Sequence, residues 1–373
     1  MKPRLLFYCQ HVLGMGHMVR SREIVRALSD FDVWFLNGGE PVEGFGFPEE
    51  VRVVQLPPIT SDVEFQGISA PEEIRTARRE KLLAISAEVQ PDIAVVEMFP
   101  FGRRKFAFEL VPFLEALPGG ALVVSSVRDI LVSKRDQARH EEQACRLLNE
   151  HFDMVLVHAD EKFQRLEETF TRAADIRCPV HYTGFVTQPV SGARKESARP
   201  SIIASAGGGR VGFDLLDSAV RSSGLISARL PHVLDVFAGP YLPPKEFDAL
   251  VQSAAGAPWI RIERFAHDFA ERLMSANLLV SMAGYNTCMN VLATGIPALV
   301  FPFTGNGNEE QTIRAKKLEA LGLLKVIRDR SVSALAAQMV AAIGEPEAAA
   351  GTVLDLNGAA NTASLLKGRL AHA

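Results

Sequence analysis

The sequence predicts an α/β protein of two domains, each built on a parallel sheet. Three observations carry this. Short apolar runs alternate with stretches of helical spacing along the whole chain, the pattern of strands buried on both faces by crossover helices. The alternation pauses once, at Thr187–Pro200 (TQPVSGARKESARP), which is polar and bracketed by prolines as a linker is. A length of 373 residues also exceeds what one core usually serves. The expected domains are 1–186 and 201–373, joined by 187–200.

In the first half, Arg4–Cys9 (RLLFYC) reads as a buried strand, Gln10–Met18 as a glycine-containing turn and Val19–Leu28 as a helix. The turn holds Gly14-Met15-Gly16-His17, followed by Arg20. A GxG after a first strand hints at dinucleotide binding, but Val19 stands where that fingerprint needs its third glycine. The glycines instead let backbone pass close to a ligand, with Gly16 in contact and His17 at the helix start. Further strands are expected at Val33–Leu36, Val51–Leu56, Asp92–Glu97, Leu122–Val124, Asp153–His158 and Val180–Gly184, with a helix near Pro71–Val89. The loop Pro57–Ala70 is long enough to read an acceptor. Glu97 closes a parallel strand, where such sheets bind ligands, and competes there with a plain helix-capping role. Arg103-Arg104-Lys105, followed by Phe106 and Phe108, reads either as a solvated helix face or as a contact for an anionic acceptor or lipid headgroups.

In the second half, Ser201–Ser205 restarts the alternation and runs into Gly207-Gly208-Gly209-Arg210. Such a loop either turns the chain or brings backbone N–H groups to a phosphate, with Arg210 adding charge. Strands follow at Val233–Phe237, Trp259–Ile262, Leu278–Ser281 and Ala298–Phe303, with helices at Tyr285–Thr294, from Gln311 to about Leu321, Ser331–Ile343 and Asn357–Leu370. Ser281, Gly284, Asn286 and Thr287 sit at a strand-to-helix corner, where amide N–H groups and the helix dipole face an incoming anion. On spacing alone, an ordinary capped corner fits equally well.

The order Gly284-Tyr285-Asn286-Thr287, Asn290, Gly295-Ile296-Pro297, Phe301-Pro302 and Glu310-Gln311 resembles the donor-binding signature of the GT-B glycosyltransferases. It is similar both to the MurG-like family and to the plant natural-product glucosyltransferases. The resemblance implies two Rossmann-like domains facing across a cleft, with the last helix crossing back to the first domain. It implies that Gly207, Gly208, Gly209, Arg210, Gly284, Asn286 and Thr287 meet the donor diphosphate. Asn290 falls on the ribose position, where those families usually carry Glu. Glu310 and Gln311 fall on the donor sugar, and Arg264, Phe265 and Ala266 on the base. Gly16-His17 matches the position of the catalytic histidine, and Glu97 that of the carboxylate supporting it. The implied activity is inverting, metal-independent transfer of a sugar from a nucleotide diphosphate, a UDP-sugar first, to an acceptor hydroxyl on a sugar, natural product or lipid-linked molecule. No cofactor beyond the nucleotide sugar is expected, and no DxD motif stands at a strand end to hold a metal.

Two rivals remain. A nucleotide-sugar hydrolase would use the similar GxGHxxR turn of Gly14–Arg20 to deliver water, and a non-catalytic sensor would bind the nucleotide sugar only. A dehydrogenase is disfavoured because Asn37, not an acid, ends the second strand. Composition narrows the rest: 47% hydrophobic and 23% charged residues are ordinary for a globular protein, and a net charge of −4 argues against nucleic acid as partner. The four cysteines share no metal-ligand or disulfide spacing. No apolar run approaches the roughly 18 residues of a membrane span, and the start lacks a signal-peptide pattern. The expectation is a cytoplasmic protein, with peripheral contact to the membrane's inner face through the basic-aromatic run.

Overall fold

A computed structural model describes residues 2–12, 15–42, 44–59, 70–132, 136–190, 198–266, 268–305, 309–345 and 353–370. Gly14, most of the Pro57–Ala70 loop and Asn306-Gly307 lie outside the described residues. The chain forms two compact units, Met1–Val186 with Leu354–Ala373, and Thr187–Val353.

The first unit contains β1 (Arg4–Cys9), α1 (Gly16–Arg26), β2 (Asp32–Asn37), β3 (Arg52–Gln55), α2 (Glu72–Val89), β4 (Ile93–Glu97), α3 (Ala107–Glu115), β5 (Leu122–Arg128), α4 (Gln137–His151), β6 (Met154–His158) and β7 (Val180–Tyr182). Its strands pair in the order β3-β2-β1-β4-β5-β6-β7, all parallel. The second unit contains β8 (Ser201–Ser205), α5 (Phe213–Ile226), β9 (Val233–Phe237), α6 (Pro244–Ser253), β10 (Ile260–Glu263), α7 (Phe269–Ser275), β11 (Leu278–Met282), α8 (Tyr285–Thr294), β12 (Ala298–Phe301), α9 (Glu310–Ala320), β13 (Lys325–Val326) and α10 (Val332–Ile343). Its parallel order is β10-β9-β8-β11-β12-β13. The last helix, α11 (Gly358–Leu370), belongs to the first unit. The second domain therefore ends at Val353, not at Ala373 as the plain linear division 201–373 has it.

The reason is apolar burial. Leu366 is fully buried in a core with Ile24, Val25 and Leu28 of the α1 region and with Leu5 and Phe7 of β1. The second unit closes its own core with Leu215, Leu216, Val236, Val280, Leu335 and Met339. The central strands β4, β6 and β11 are buried at every position, which is why they read as unbroken apolar runs. One helix start differs from expectation. α1 begins at Gly16 rather than Val19, because tertiary packing overrides the weak helix preference of Gly and His. That moves His17 from a turn into the first turn of the helix. Among the described residues no helix is long and apolar enough to cross a membrane.

Each sheet has one place where the strand order reverses direction, between β1 and β4 in the first unit and between β8 and β11 in the second. Crevices at the carboxyl ends of such strand pairs are where open parallel sheets bind ligands. Both groups of candidate residues lie at these two points.

Candidate active site

In the first unit, α1 leaves the carboxyl end of β1 and presents His17 and Arg20, one helical turn apart, toward the end of β4. There Glu97 is completely buried. His17 Nδ1 lies 2.7 Å from Glu97 Oε1, and the same oxygen accepts from Arg20 Nη2. A carboxylate can only accept, so Nδ1 carries the proton and the neutral ring keeps Nε2 as an acceptor. The Glu97 side chain thus reaches the histidine.

The electrostatics fit a neutral imidazole. Burial lowers the His17 pKa to about 4; Glu97 pulls it up, while Arg103 and Arg20 push it down. For Glu97, burial raises the pKa, but the interactions with His17 and the Arg20 charge outweigh it and hold the carboxyl at about 2. Some 21% of the His17 side chain remains exposed, against none for Glu97, so the ring can meet a ligand while its partner cannot. Behind the pair, Thr183 Oγ1 donates to Gly184 O and accepts from His158 Nδ1 at 2.8 Å, and Ser126 Oγ donates to His158 Nε2 at 2.7 Å. Ser126 is paired in register with Glu97, so this buried chain stiffens the strand end that carries the carboxylate.

Arg20 was legible only as part of the GxGHxxR turn, with no role assigned. Its function depends on the helix starting at Gly16, which brings position 20 onto the face of position 17.

In the second unit, the loop after β8 adopts left-handed backbone at Gly207 (φ 62°) and Gly209 (φ 85°). A Cβ at Gly209 would come within 2.4 Å of Ala238 O, and Tyr241 N donates to Gly208 O at 3.0 Å. Packing against the next loop explains the glycine at position 209. A Cβ at Gly207 or Gly284 would meet nothing within 4 Å, so both backbones are open to a ligand. α8 starts at Tyr285 with no side chain capping it, which leaves a full helix dipole aimed past Gly284. Thr287 and Asn290 are buried on α8, Asn290 at 5% exposure. The Asn290 side chain makes no hydrogen bond with the described residues.

Several candidates are already engaged. Ser281 Oγ donates to Ser205 O at 2.6 Å, tying β11 to β8. Arg264 donates to Leu242 O at 2.8 Å and stacks over Phe247 at 4.2 Å, and Arg210 lies over Tyr241 at 5.6 Å. Phe265 is half-buried and Ala266 buried beside them. Glu310 accepts from the fully buried Arg314 at 2.6 Å, and that guanidinium lies over the Tyr285 ring. Gln311 Oε1 accepts from Phe303 N at 2.9 Å, and among the described residues its amide nitrogen remains as a donor for a ligand. Arg314 stands four residues after Glu310, an i,i+4 spacing that signals the pair in the sequence itself. Among the described residues, no cluster of His, Cys, Asp and Glu is arranged to hold a metal ion.

Residues 208–358 match the glycosyltransferase family 28 C-terminal domain. Among solved structures, MurG of Acinetobacter baumannii superimposes with a TM-score of 0.62 at 17% identity, covering 98% of this chain and 100% of that one. The fold is that of the GT-B glycosyltransferases. CalG4, the calicheamicin glycosyltransferase, has the same GT-B architecture, with a TM-score of 0.62, 14% identity and coverage of 100% and 98%. A curated relative from Methylobacterium radiotolerans, UDP-N-acetylglucosamine–N-acetylmuramyl-(pentapeptide) pyrophosphoryl-undecaprenol N-acetylglucosamine transferase, is 30% identical over 95 residues. That alignment spans 25% of this chain and 26% of the relative, so it reaches only about a quarter of that relative's length.

Proposed function

We propose that this protein is an inverting, metal-independent glycosyltransferase acting in the cytoplasm, with a UDP-sugar as donor. The observation that carries the mechanism is the His17–Glu97 contact of 2.7 Å, which fixes the tautomer and leaves Nε2 as the acceptor. In this reading His17 Nε2 takes the proton of the acceptor hydroxyl as its oxygen attacks the anomeric carbon. The bond from that carbon to the diphosphate breaks, and the electron pair leaves on the UDP β-phosphate. Developing charge there is met by the amino end of α8 and the open backbone at Gly207 and Gly284. Asn290 binds the ribose, the Arg264–Ala266 segment the base, and the Gln311 amide the donor sugar. The UDP assignment is supported by the donor in the name of the curated relative.

The test is a panel of UDP-, dTDP- and GDP-sugars with candidate acceptors, read by nucleotide release and by NMR of the product's anomeric configuration. The expected result is acceptor-dependent release of UDP, an inverted product and no loss of rate with EDTA. Consumption of donor at full rate without acceptor would make the protein a hydrolase, and binding without turnover a sensor.

Three further outcomes follow from the geometry. Because burial lowers the His17 pKa to about 4, the base is deprotonated above that pH and lost as pH falls through it. The acidic limb of kcat/KM should therefore lie near pH 4, not at the ordinary histidine value; a limb at or above 6 would show a different titrating base. Asn290→Ala should weaken UDP by about 1–1.5 kcal/mol, measured by calorimetry; unchanged affinity would move the ribose elsewhere. Gln311→Glu keeps the acceptor that caps Phe303 but removes the amide donor. It should weaken a UDP-sugar about tenfold while leaving UDP within twofold; equal effects on both ligands would remove Gln311 from the sugar site.

A further inference from the structure

In the second unit, three loops follow the neighbouring strands β8, β9 and β10, and the middle one is held from both sides. Toward β8 it touches the glycine loop through backbone alone. Tyr241 N donates to Gly208 O at 3.0 Å. A Cβ at Gly239, where φ is 88°, would come within 2.5 Å of Gly208 C and Gly209 N. With Gly209 equally close to Ala238 O, the two backbones lie in direct contact. A shift of the middle loop therefore displaces the glycine loop as well.

Toward β10 the same loop is braced by one residue, Arg264. Leu242 N donates to Gly239 O at 3.3 Å, which closes a four-residue turn. Arg264 holds both ends of that turn: its carbonyl accepts from Gly239 N at 2.8 Å, and its Nη1 donates to Leu242 O at 2.8 Å. The guanidinium also lies 4.2 Å over the Phe247 ring of α6, a stacking contact that fixes the side chain in this orientation. Leu242 itself is buried in the core of the unit. The Arg264 side chain is thus turned toward the loop and spent on it.

We propose that Arg264 is a positioning residue for the donor diphosphate: its side chain holds the turn 239–242 and, through it, the glycine loop, and leaves the base to Phe265 and Ala266. The assignment rests on the reading of these loops as the donor site. Its physical basis is pre-organisation. A loop already fixed in its bound shape needs no ordering when the ligand arrives, whereas a released loop must be ordered at the ligand's cost in affinity. That cost falls on the part of the ligand lying against the glycine loop and not on the nucleoside.

The test compares UDP with uridine, each titrated by NMR into the full chain, as wild type and as Arg264→Gln. The variant should weaken UDP about tenfold and uridine less than about twofold. Arg264→Lys, which keeps a donor for Leu242 O, should recover most of the loss. Equal losses for the two ligands would make Arg264 a base ligand or a general structural residue, and no loss for either would remove it from the site; both results overturn the proposal. A second measurement needs no ligand. Amide exchange at Tyr241 and Leu242 should accelerate at least about tenfold in Arg264→Gln while that of β9 stays unchanged, and unchanged exchange at Tyr241 overturns the brace. Phe247→Leu removes the ring under the guanidinium and keeps both hydrogen bonds. It serves if Arg264→Gln does not fold, and should weaken UDP alone. Wild type that binds neither ligand would count against the donor reading, and the exchange rates would still decide whether Arg264 holds the loops.

Discussion

Replacement of His17 by alanine is expected to lower kcat by about two to four orders of magnitude with UDP affinity nearly unchanged. The size follows from removing the only group among the described residues that both touches Glu97 and remains exposed enough to accept the hydroxyl proton. The selectivity follows from location, since His17 belongs to the first unit and the proposed nucleotide ligands to the second. Structural damage should be small: Arg20 still pairs with Glu97, so the buried carboxylate keeps a counter-charge. Glu97→Gln should be nearly as damaging to turnover, because an amide can donate to Nδ1 and stabilise the wrong tautomer. Single-turnover kinetics with calorimetric UDP titration tests both variants. Turnover within tenfold of wild type, or an equal loss of UDP binding, would remove His17 from the role of base.

Arg78→Met is expected to destabilise the first unit by about 3–5 kcal/mol, the largest stability effect anticipated here. Arg78 is fully buried and donates to Glu109 through Nε at 2.7 Å and Nη2 at 2.6 Å. It also donates to Gln10 Oε1, Gly38 O and Pro57 O at 2.8, 2.8 and 2.6 Å. Tyr8 Oη completes the cluster by donating to Glu109 at 2.6 Å. Removing the guanidinium strands a buried carboxylate and takes the Arg78 donor from Gln10 Oε1 and Pro57 O, whereas removing both charges leaves only those neutral acceptors unpaired. The double variant Arg78→Met/Glu109→Met should therefore recover a substantial part of the loss. Urea unfolding of the two variants decides it; a single variant within 1 kcal/mol of wild type would mean that water replaces the guanidinium.

The sheets were legible because their central strands are buried on both faces. Leu278–Met282 and Met154–His158 hold no exposed position, so the apolar run alone betrays them. β13 was illegible: two residues, Lys325 and Val326, carry no periodicity, and only the neighbouring β12 makes them a strand. The helices α4, α6 and α7 went unread for a related reason, since polar faces dilute their patterns. At the candidate site, His17 and Glu97 could be singled out because both follow strand ends. Their contact could not, since 80 residues separate them. Ser281 shows the converse. Its position suggests a ligand, but its hydroxyl is used by Ser205 on the adjacent strand, a partner that only strand order reveals. For Glu310 the i,i+4 spacing to Arg314 makes its ion pair legible in the sequence itself.

The return of α11 to the first unit has a consequence for how the protein is made. A ribosome releases the first unit's sheet well before Leu366, which completes that unit's core against Ile24, Val25 and Leu28. At roughly 5–20 residues per second, the intervening second unit takes on the order of ten seconds or more to emerge. During that interval the nascent first unit exposes the apolar surface that α11 later covers. Chaperone occupancy on translating ribosomes should accordingly persist past the synthesis of Val186 and fall only once α11 has left the exit tunnel.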